Sequence, residues 1–336
     1  MKSNAYLNHS RRFSLLLILL ALVSLLGINS CQKIEDNPAQ NLSMLKSATL
    51  SPNYLQDLIT SINSMVESGE LGKGEGQSLI AKVDNAIKSI EKGNTNAVNG
   101  QLDAFNSEVE YFVDNGTLTS EQGESLTDVA DFVVDFPDGS FTDPRDGQKY
   151  SVVLIGNQVW MGENLKANKF NDGSNIPHIA NNDIWNNISA PGFSWYNNDE
   201  TAFKNTYGAL YNWHAVGTGK LSPVGWHIPS DTEWTTLLNF LGGSFIAGGK
   251  LKETGTTHWL SPNDGATNEF GFTALPGGAR NLDGSFAFLG GDGHWWSSTA
   301  NGSGSAWLYY ISNSWSGVSR ISPSKNYEIS VRCIKD

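Results

Sequence analysis

The signal for a helix start is most complete at Gly225-Trp-His-Ile-Pro-Ser-Asp-Thr-Glu-Trp-Thr-Thr-Leu-Leu238. Ser230 can accept a hydrogen bond from the first free amides, and Glu233, three residues later, can close a capping box. Apolar residues then follow at helical spacing until a glycine pair ends the turn. They are Trp234, Leu237, Leu238 and Leu241, followed by Gly242 and Gly243. The stretch predicts one short helix with tryptophan at the head of its apolar stripe.

Further motifs surround this stretch in a fixed order. They are Tyr150–Ile155, Gly156–Leu165, Trp195–Asn198, Tyr207–Val216, Gly248–Trp259, Gly271–Arg280, His294–Thr299 and Ser330–Asp336. Together they resemble the Fibrobacter succinogenes major paralogous domain, with the match running from Phe141 to Asp336. More distantly, His227–Trp234 resembles the Leu-Pro-Thr-x-x-Glu-Trp segment of formylglycine-generating enzymes and their C-type-lectin-like relatives. The resemblance implies a C-type-lectin-like α+β domain over residues 140–336, with small sheets, one or two helices and long loops.

The first 31 residues have the form of a bacterial lipoprotein signal. Arg11 and Arg12 precede an apolar run over residues 13–26, which is short for a membrane span. Ile28-Asn-Ser-Cys31 then resembles a lipobox, which implies cleavage before Cys31 and its acylation by fatty acids such as palmitate. An ordinary signal peptide with an incidental cysteine is the alternative interpretation.

The N-terminal prediction is therefore a signal peptide over residues 1–30 and a flexible tether over residues 31–51. Several acyl chains at Cys31 would hold the protein on a bilayer without a spanning helix. By analogy with lipoprotein sorting, Gln32 favours the outer membrane, with the chain facing either the periplasm or the cell surface.

The charge balance argues against a nucleic-acid partner. The formal net charge is −12, and the three charged residues of the predicted signal peptide are all basic. The mature chain is therefore near −15, so its surface repels a phosphate backbone.

Residues 52–136 contain a helical pattern that repeats after 47 residues. Leu55, Leu58, Ile62 and Met65 map onto Leu102, Phe105, Val109 and Phe112, and Gly69-x-Leu71 maps onto Gly116-x-Leu118. Each unit predicts a helix, a glycine turn and a second helix. One hairpin cannot cover its own apolar stripe, so two should pack as a four-helix array. The stretch resembles the FIMAH module, which implies an all-α helical-hairpin module before the C-terminal domain.

The composition changes after Asp138, since all 11 tryptophans lie beyond it. Gly156-Asn157 separates Tyr150–Ile155 from Gln158–Met161, a pattern typical of a β-hairpin. We therefore place the domain boundary near residues 136–141.

The sequence predicts no enzyme. Formylglycine-generating enzymes use a pair of active-site cysteines that bind copper, whereas this chain has only Cys333 besides Cys31. We expect Cys333 to be a buried thiol in an apolar strand, so the resemblance implies the fold and not the activity. A hydrolase with two carboxylates stays open as an alternative. The pairs considered are Glu233 with Asp231, and Asp264 with Glu269.

No cofactor or metal site is predicted either. The five histidines beyond the signal peptide lack zinc-ligand spacing, so we expect packing or hydrogen-bonding roles for them. Calcium-dependent sugar binding needs a carboxylate-Pro-Asn loop and a Trp-Asn-Asp strand in the lectins. Here Ser261-Pro-Asn-Asp264 and Trp296-Ser-Ser298 stand in their places. Oxygen ligands for a hard cation remain open at Asp264, Asn268 and Glu269.

Aromatic residues in loops are the remaining candidates for a ligand site. The predicted ligand-binding residues are Trp185, Trp195, Tyr196, Trp259 and Trp315. Other tryptophans lie in the motifs above, and we expect them in the core. They are Trp160, Trp213, Trp226, Trp234, Trp295 and Trp296. The whole pattern favours a cell-envelope lipoprotein that presents a non-catalytic binding or adhesion domain for a glycan or a protein. A carbohydrate-active or modifying enzyme and a purely structural envelope component are the alternatives.

Overall fold

A computed structural model describes residues 51–185 and 188–336. The predicted signal peptide, Cys31 and the tether up to residue 50 lie outside the described residues. In the described part, a helical region is followed by a β-rich region with short helices, which confirms the mixed α+β class.

The helical region is a four-helix bundle within residues 51–135. Its helices are α1 (Ser51–Ser68), α2 (Lys73–Glu91), α3 (Thr95–Asp114) and α4 (Ser120–Asp135). Each helix contacts the next, and α4 returns to α1. Apolar residues at helical spacing fill the space between the helices, as the predicted array requires.

The two repeat units share their turn geometry. Gly69 has a φ of 81°, a region that favours glycine, and Leu71 N donates to Met65 O at 3.1 Å. The same turn and bond recur at Gly116, Leu118 and Phe112. Both leucines are buried, so Gly-x-Leu ends one helix and returns the chain to the core.

The first of two sheets is antiparallel and lies next to the bundle. Its strand order is β1 (Ser140–Thr142), β2 (Lys149–Ile155), β3 (Gln158–Met161), β13 (Ile334–Lys335) and β6 (Trp226–His227). Gly156, with a φ of 63°, forms the predicted turn between β2 and β3.

The second sheet is larger and contains one parallel pair, β9 with β12. Its path is β11 (Ser319–Ile321), β10 (Ala306–Ser312), β9 (Asp292–Ala300), β12 (Glu328–Ser330), β5 (Leu210–Asn212) and β4 (Phe193–Ser194). Off this path, β7 (Gly277–Arg280) pairs with β12, and β8 (Phe286–Leu289) pairs with β7.

The last segment of the chain joins the two sheets. Between β12 and β13, Leu165 N donates to Val331 O at 2.8 Å and Met161 N donates to Cys333 O at 3.0 Å. Cys333 is buried at this crossing, as expected of an apolar thiol, although it lies between two strands and not within one.

Short helices connect the strands: α5 (Asn182–Trp185), α6 (Glu200–Tyr207), α7 (Trp213–Val216), α8 (Asp231–Phe240) and α9 (Ser244–Leu251). The expectation of one or two helices was wrong because loop residues cap additional turns. The side chains of Asp199 and Asn212 accept hydrogen bonds from Ala202 N and Ala215 N and so begin α6 and α7.

The helix predicted from the sequence is α8. Glu233 N donates to Ser230 Oγ at 3.2 Å, and Ser230 N donates to Glu233 Oε2 at 2.7 Å, which confirms the capping box. Trp234 then packs against Trp160 of the first sheet at 5.1 Å and stacks on Tyr309 of the second sheet at 4.9 Å between ring centroids. One buried indole therefore contacts both sheets.

The bundle and the first sheet share one hydrophobic core. The ring of Phe136, just after α4, lies 6.0 Å from Trp226 of β6, which also contacts Phe141 at 5.0 Å. Asp135 and Lys335 form an ion pair at 2.9 Å at the edge of this contact.

We expect Gly76→Ala and Gly123→Ala to destabilise the bundle by about 1–3 kcal/mol, because each helix needs glycine where it approaches its neighbour. A Cβ at these positions would lie 2.3 Å from Val66 Cγ2 and 2.4 Å from Val113 Cγ2. Gly100→Ala is the control, since its Cβ would meet nothing within 4 Å in an exposed part of α3. That change should stabilise by about 0.5–1 kcal/mol in urea unfolding. Equal effects of all three changes would contradict this account.

Candidate binding surface

Four of the five predicted ligand residues are buried, so the prediction that they offer exposed faces was wrong. Trp185, Trp195, Tyr196 and Trp259 are between 0% and 8% exposed. Their loops fold back onto the domain, and the indole N–H groups of the first and last find internal acceptors. Trp185 Nε1 donates to Asn281 O at 2.8 Å, and Trp259 Nε1 donates to Ala274 O at 2.9 Å.

Neighbouring side chains cover the rings of these four residues. The Arg280 guanidinium lies 4.6 Å from the Trp185 ring, and Lys252 Nζ lies 5.5 Å from the Trp259 ring. Trp195 packs edge-on against Phe193, and Tyr196 packs against Phe286. These aromatics fill the core between long loops, where a domain of short strands has few other large side chains.

Trp315 is the exception, with 37% of its surface exposed. Its ring lies on Gly317, where an added Cβ would be 2.3 Å from ring atom Cζ2. The ring also meets Phe245 edge-on at 6.3 Å. Phe245 is 77% exposed and its neighbour Ile246 is 48% exposed, so the start of α9 and the Trp315 loop together carry an exposed apolar surface.

Two more exposed apolar side chains belong to neighbouring segments, Leu260 in a loop and Phe288 in β8. Leu260 N donates to Gly290 O at 2.8 Å, which places the two segments together. Asn313, two residues before Trp315, donates through Nδ2 to Leu260 O at 3.2 Å. We call the five residues the end patch: Phe245, Ile246, Leu260, Phe288 and Trp315.

A buried lysine fixes the loop that carries Trp315. Lys252 Nζ donates to Ser312 O at 3.1 Å and to Trp315 O at 3.0 Å, and the residue has no exposed surface. Burial lowers the pKa of Lys252 to about 8. The loop is therefore held from beneath, and a surface on a rigid support loses less entropy when it binds.

The end patch and the contact with the bundle lie near opposite ends of strand β9. Strand β9 begins at Asp292, next to the patch loops, and ends at Ala300. Near its far end, Ser298 N donates to Pro229 O at 2.9 Å, three residues from Trp226, which packs on the bundle. A strand of this length spans about 25 Å at roughly 3.3 Å per residue.

The sequence did not identify the other four patch residues, because an apolar residue usually predicts a buried position in the core. In α9, three of the four buried positions are small, Ala247, Gly248 and Gly249, and Gly248 packs against the backbone of Gly317. Phe245 and Ile246 are left on the outside. The available signal was the Gly242-Gly243 and Gly248-Gly249 pairs on either side, which indicate close backbone packing.

Three of the four carboxylates weighed as catalytic pairs have structural partners. Asp231 binds Arg320 through two contacts, at 2.5 and 2.7 Å, and accepts the Tyr309 hydroxyl at 2.7 Å. Glu233 caps α8, as described above. Glu269 pairs with Lys250 at 3.3 Å.

The oxygen ligands considered for a hard cation do not converge. Asn268 Oδ1 accepts from Thr273 N at 2.8 Å, while Glu269 faces Lys250. Within residues 51–185 and 188–336, no group of three or more His, Cys, Asp or Glu side chains has the arrangement of a metal site.

A buried ion pair was also missed by sequence reasoning. Arg280 of β7 and Glu328 of β12 are fully buried, with Nη1 and Oε2 3.3 Å apart, and Ser194 of β4 also donates to Glu328. Burial raises the pKa of Glu328 to about 8 despite these partners. The cluster ties three strands of the second sheet together. In the sequence, Arg280 and Glu328 are each the single charged residue of a short strand.

Two clefts lie where the bundle meets the first sheet. The larger, of about 510 Å³, is walled by Tyr54, Phe132 and Phe136, which also pack the bundle against the sheet. The smaller, of about 340 Å³, is acidic. Its carboxylates are Asp128, Asp131, Asp135, Glu233 and Asp336. Burial, with Asp131 and Glu124 nearby, raises the pKa of Asp128 to about 6.

Fold and surface together define a two-domain protein in which a helical bundle carries an α+β domain with an exposed apolar end. The chain belongs to the Fibrobacter succinogenes major domain family, which it matches over residues 153–335, and it matches the FIMAH domain over residues 55–135. These domains indicate a surface-associated protein. No curated protein and no solved structure matches the chain significantly. None of the helices in the described ranges is long and apolar enough to cross a membrane.

His227, beside the acidic cleft, has a carboxylate on each ring nitrogen. Nδ1 lies 2.7 Å from Asp336 Oδ1 and Nε2 lies 2.7 Å from Glu233 Oε1. Burial lowers the pKa of His227, but the two carboxylates outweigh it and raise the pKa above its ordinary value of 6.5. The protonated ring therefore stabilises the folded chain.

We expect His227→Gln to lose more stability at pH 6 than at pH 9. The contribution of His227 is fully present below its unfolded pKa and is lost as the pH rises through the raised folded pKa. Urea unfolding of both proteins at the two pH values measures the difference. A difference that does not change with pH would show that the ring is not charged in this site.

Proposed function

We propose that this protein is a cell-envelope lipoprotein that presents a non-catalytic binding or adhesion domain, with the end patch as its contact surface. An acylated Cys31 and an outer-membrane location are part of the proposal. The observation that carries it is the exposed aromatic pair Phe245 and Trp315, whose rings pack edge-on against each other at the surface of the domain.

The energetics favour a contact role for the pair. Large aromatic side chains bury about 150–250 Å² each when covered, and burial contributes about 25 cal/mol per Å². Leaving Phe245 77% exposed therefore forgoes stability that a core position would supply. Contiguous exposed apolar residues typically mark interaction sites.

The C-type-lectin-like arrangement belongs to the same proposal. It is supported by the short strands and by the long loops that join them, since loops on a rigid scaffold are common places for recognition.

We expect Phe245→Ala and Trp315→Ala to lower ligand affinity at least tenfold each, because each removes a large apolar anchor. The mature chain on liposomes is screened against a glycan array and purified envelope proteins, and the variants are compared by biolayer interferometry. Tyr111→Ala is the matched control, since Tyr111 is 63% exposed on the bundle. If a ligand binds the Phe245→Ala and Trp315→Ala variants as tightly as it binds the parent, the contact surface lies elsewhere.

For the anchor, we expect Cys31→Ser to release the chain from the membrane fraction. The parent should carry an acylated N-terminal cysteine at residue 31, because the thiol is the attachment point. Fractionation and mass spectrometry of the N-terminal peptide check this. An unmodified Cys31 in the membrane-bound parent would contradict the lipoprotein assignment.

A further inference from the structure

Building on the proposed function, we propose that the partner of the end patch is a protein segment with an apolar anchor flanked by lysine or arginine. Three observations carry the assignment: the aliphatic part of the patch, the internal use of nearby polar groups, and the charge around it.

The patch is not built as a sugar platform. Ile246 and Leu260, 48% and 59% exposed, are aliphatic and have no flat face to stack on a sugar ring. Side chains of this kind pack against other apolar side chains, as in the centre of protein interfaces. The mixture of aliphatic and aromatic residues therefore favours a protein partner over a glycan.

Two polar side chains beside the patch, Asn313 and Glu253, already have internal partners. Asn313 Nδ2 donates to Leu260 O and Ser261 O, at 3.2 and 3.0 Å. The carboxylate of Glu253 faces His258 Nδ1 at 2.9 Å. These two side chains are therefore not free to orient sugar hydroxyls, which leaves the carboxylates at the rim as the charged groups for a partner.

The charge at the rim is negative. Asp264 and Asp292 lie beside the patch, and neither forms an ion pair within the described residues. Asp264 N donates to Asn313 O at 2.8 Å, and Asp292 follows Gly291, whose carbonyl accepts from Asn313 N. Of the nearby lysines, Lys250 pairs with Glu269, and Lys252 is buried under the loop, where it interacts electrostatically with Asp264 and offsets part of its charge.

His294, beside Asp292, adds no positive charge to the rim. His294 lies under Phe288 at 5.7 Å, and burial lowers its pKa to about 4, so the ring is neutral near pH 7. A partner with basic flanks gains attraction from Asp264 and Asp292, whereas a second copy of this acidic chain would bring like charges together.

The experiment uses the mature chain and synthetic peptides that share a Trp-Leu-Phe centre and differ only in flanking lysines, serines or glutamates. We expect the lysine-flanked peptide to bind about tenfold tighter than the glutamate-flanked one at low salt, by fluorescence anisotropy. The preference should shrink at 0.5 M NaCl, since salt screens exposed charges.

Variants separate the apolar and the charged contributions. Asp264→Asn combined with Asp292→Asn should remove most of the preference for lysine flanks and keep binding to the serine-flanked peptide. Phe245→Ala should weaken binding to all three peptides, and Tyr111→Ala should change none.

The outcomes distinguish this inference from the proposed function. Equal binding of lysine- and glutamate-flanked peptides would overturn the assignment of a basic partner. Glycan binding that is lost in Trp315→Ala, with no peptide binding, would overturn it and leave the binding function standing. Self-association that Phe245→Ala abolishes would identify a second copy as the occupant. No binding of any probe, and no self-association, would overturn both proposals.

Discussion

The C-terminal domain depends on Trp234, which occupies the space between the two sheets. Its ring contacts Trp160 on one side and Tyr309 on the other, and all three are buried. The capping box of Ser230 and Glu233 fixes where α8 begins and hence which way this ring points. Neither sheet is large enough to bury its inner face alone, so the helix that carries the indole holds the two together.

Buried charged side chains also hold the two sheets in place. Arg332, between β12 and β13, donates to Asn164 Oδ1 at 2.8 Å, and the same oxygen accepts from Trp295 Nε1 at 2.8 Å. The Arg332 guanidinium also donates to Phe272 O and lies over the Phe272 ring. Burying charge is costly unless its hydrogen bonds are satisfied, so such clusters favour one arrangement of the strands over others. The path of the last segment across both sheets is specified in this way.

What could be predicted from the sequence was local. The capping box, the 47-residue helical repeat and the Gly156-Asn157 turn depend on residues a few positions apart, and the structure contains all three. Trp185 and Trp259 are buried with their indole N–H groups bonded to carbonyls 96 and 15 residues away along the chain. No local sequence pattern reveals such partners. The same limit hid Phe245 and Ile246, because their exposure follows from the approach of α9 to Gly317, a residue in a distant loop. Trp315 was found because it lies in a serine- and glycine-rich loop without helical or strand periodicity.

The continuous core between the bundle and the first sheet bears on mechanics. If the chain is anchored before residue 51 and bound through the C-terminal domain, a pulling force crosses the contact between the bundle and the first sheet. The packing of Phe136 on Trp226 removes a hinge at which such a force would otherwise concentrate.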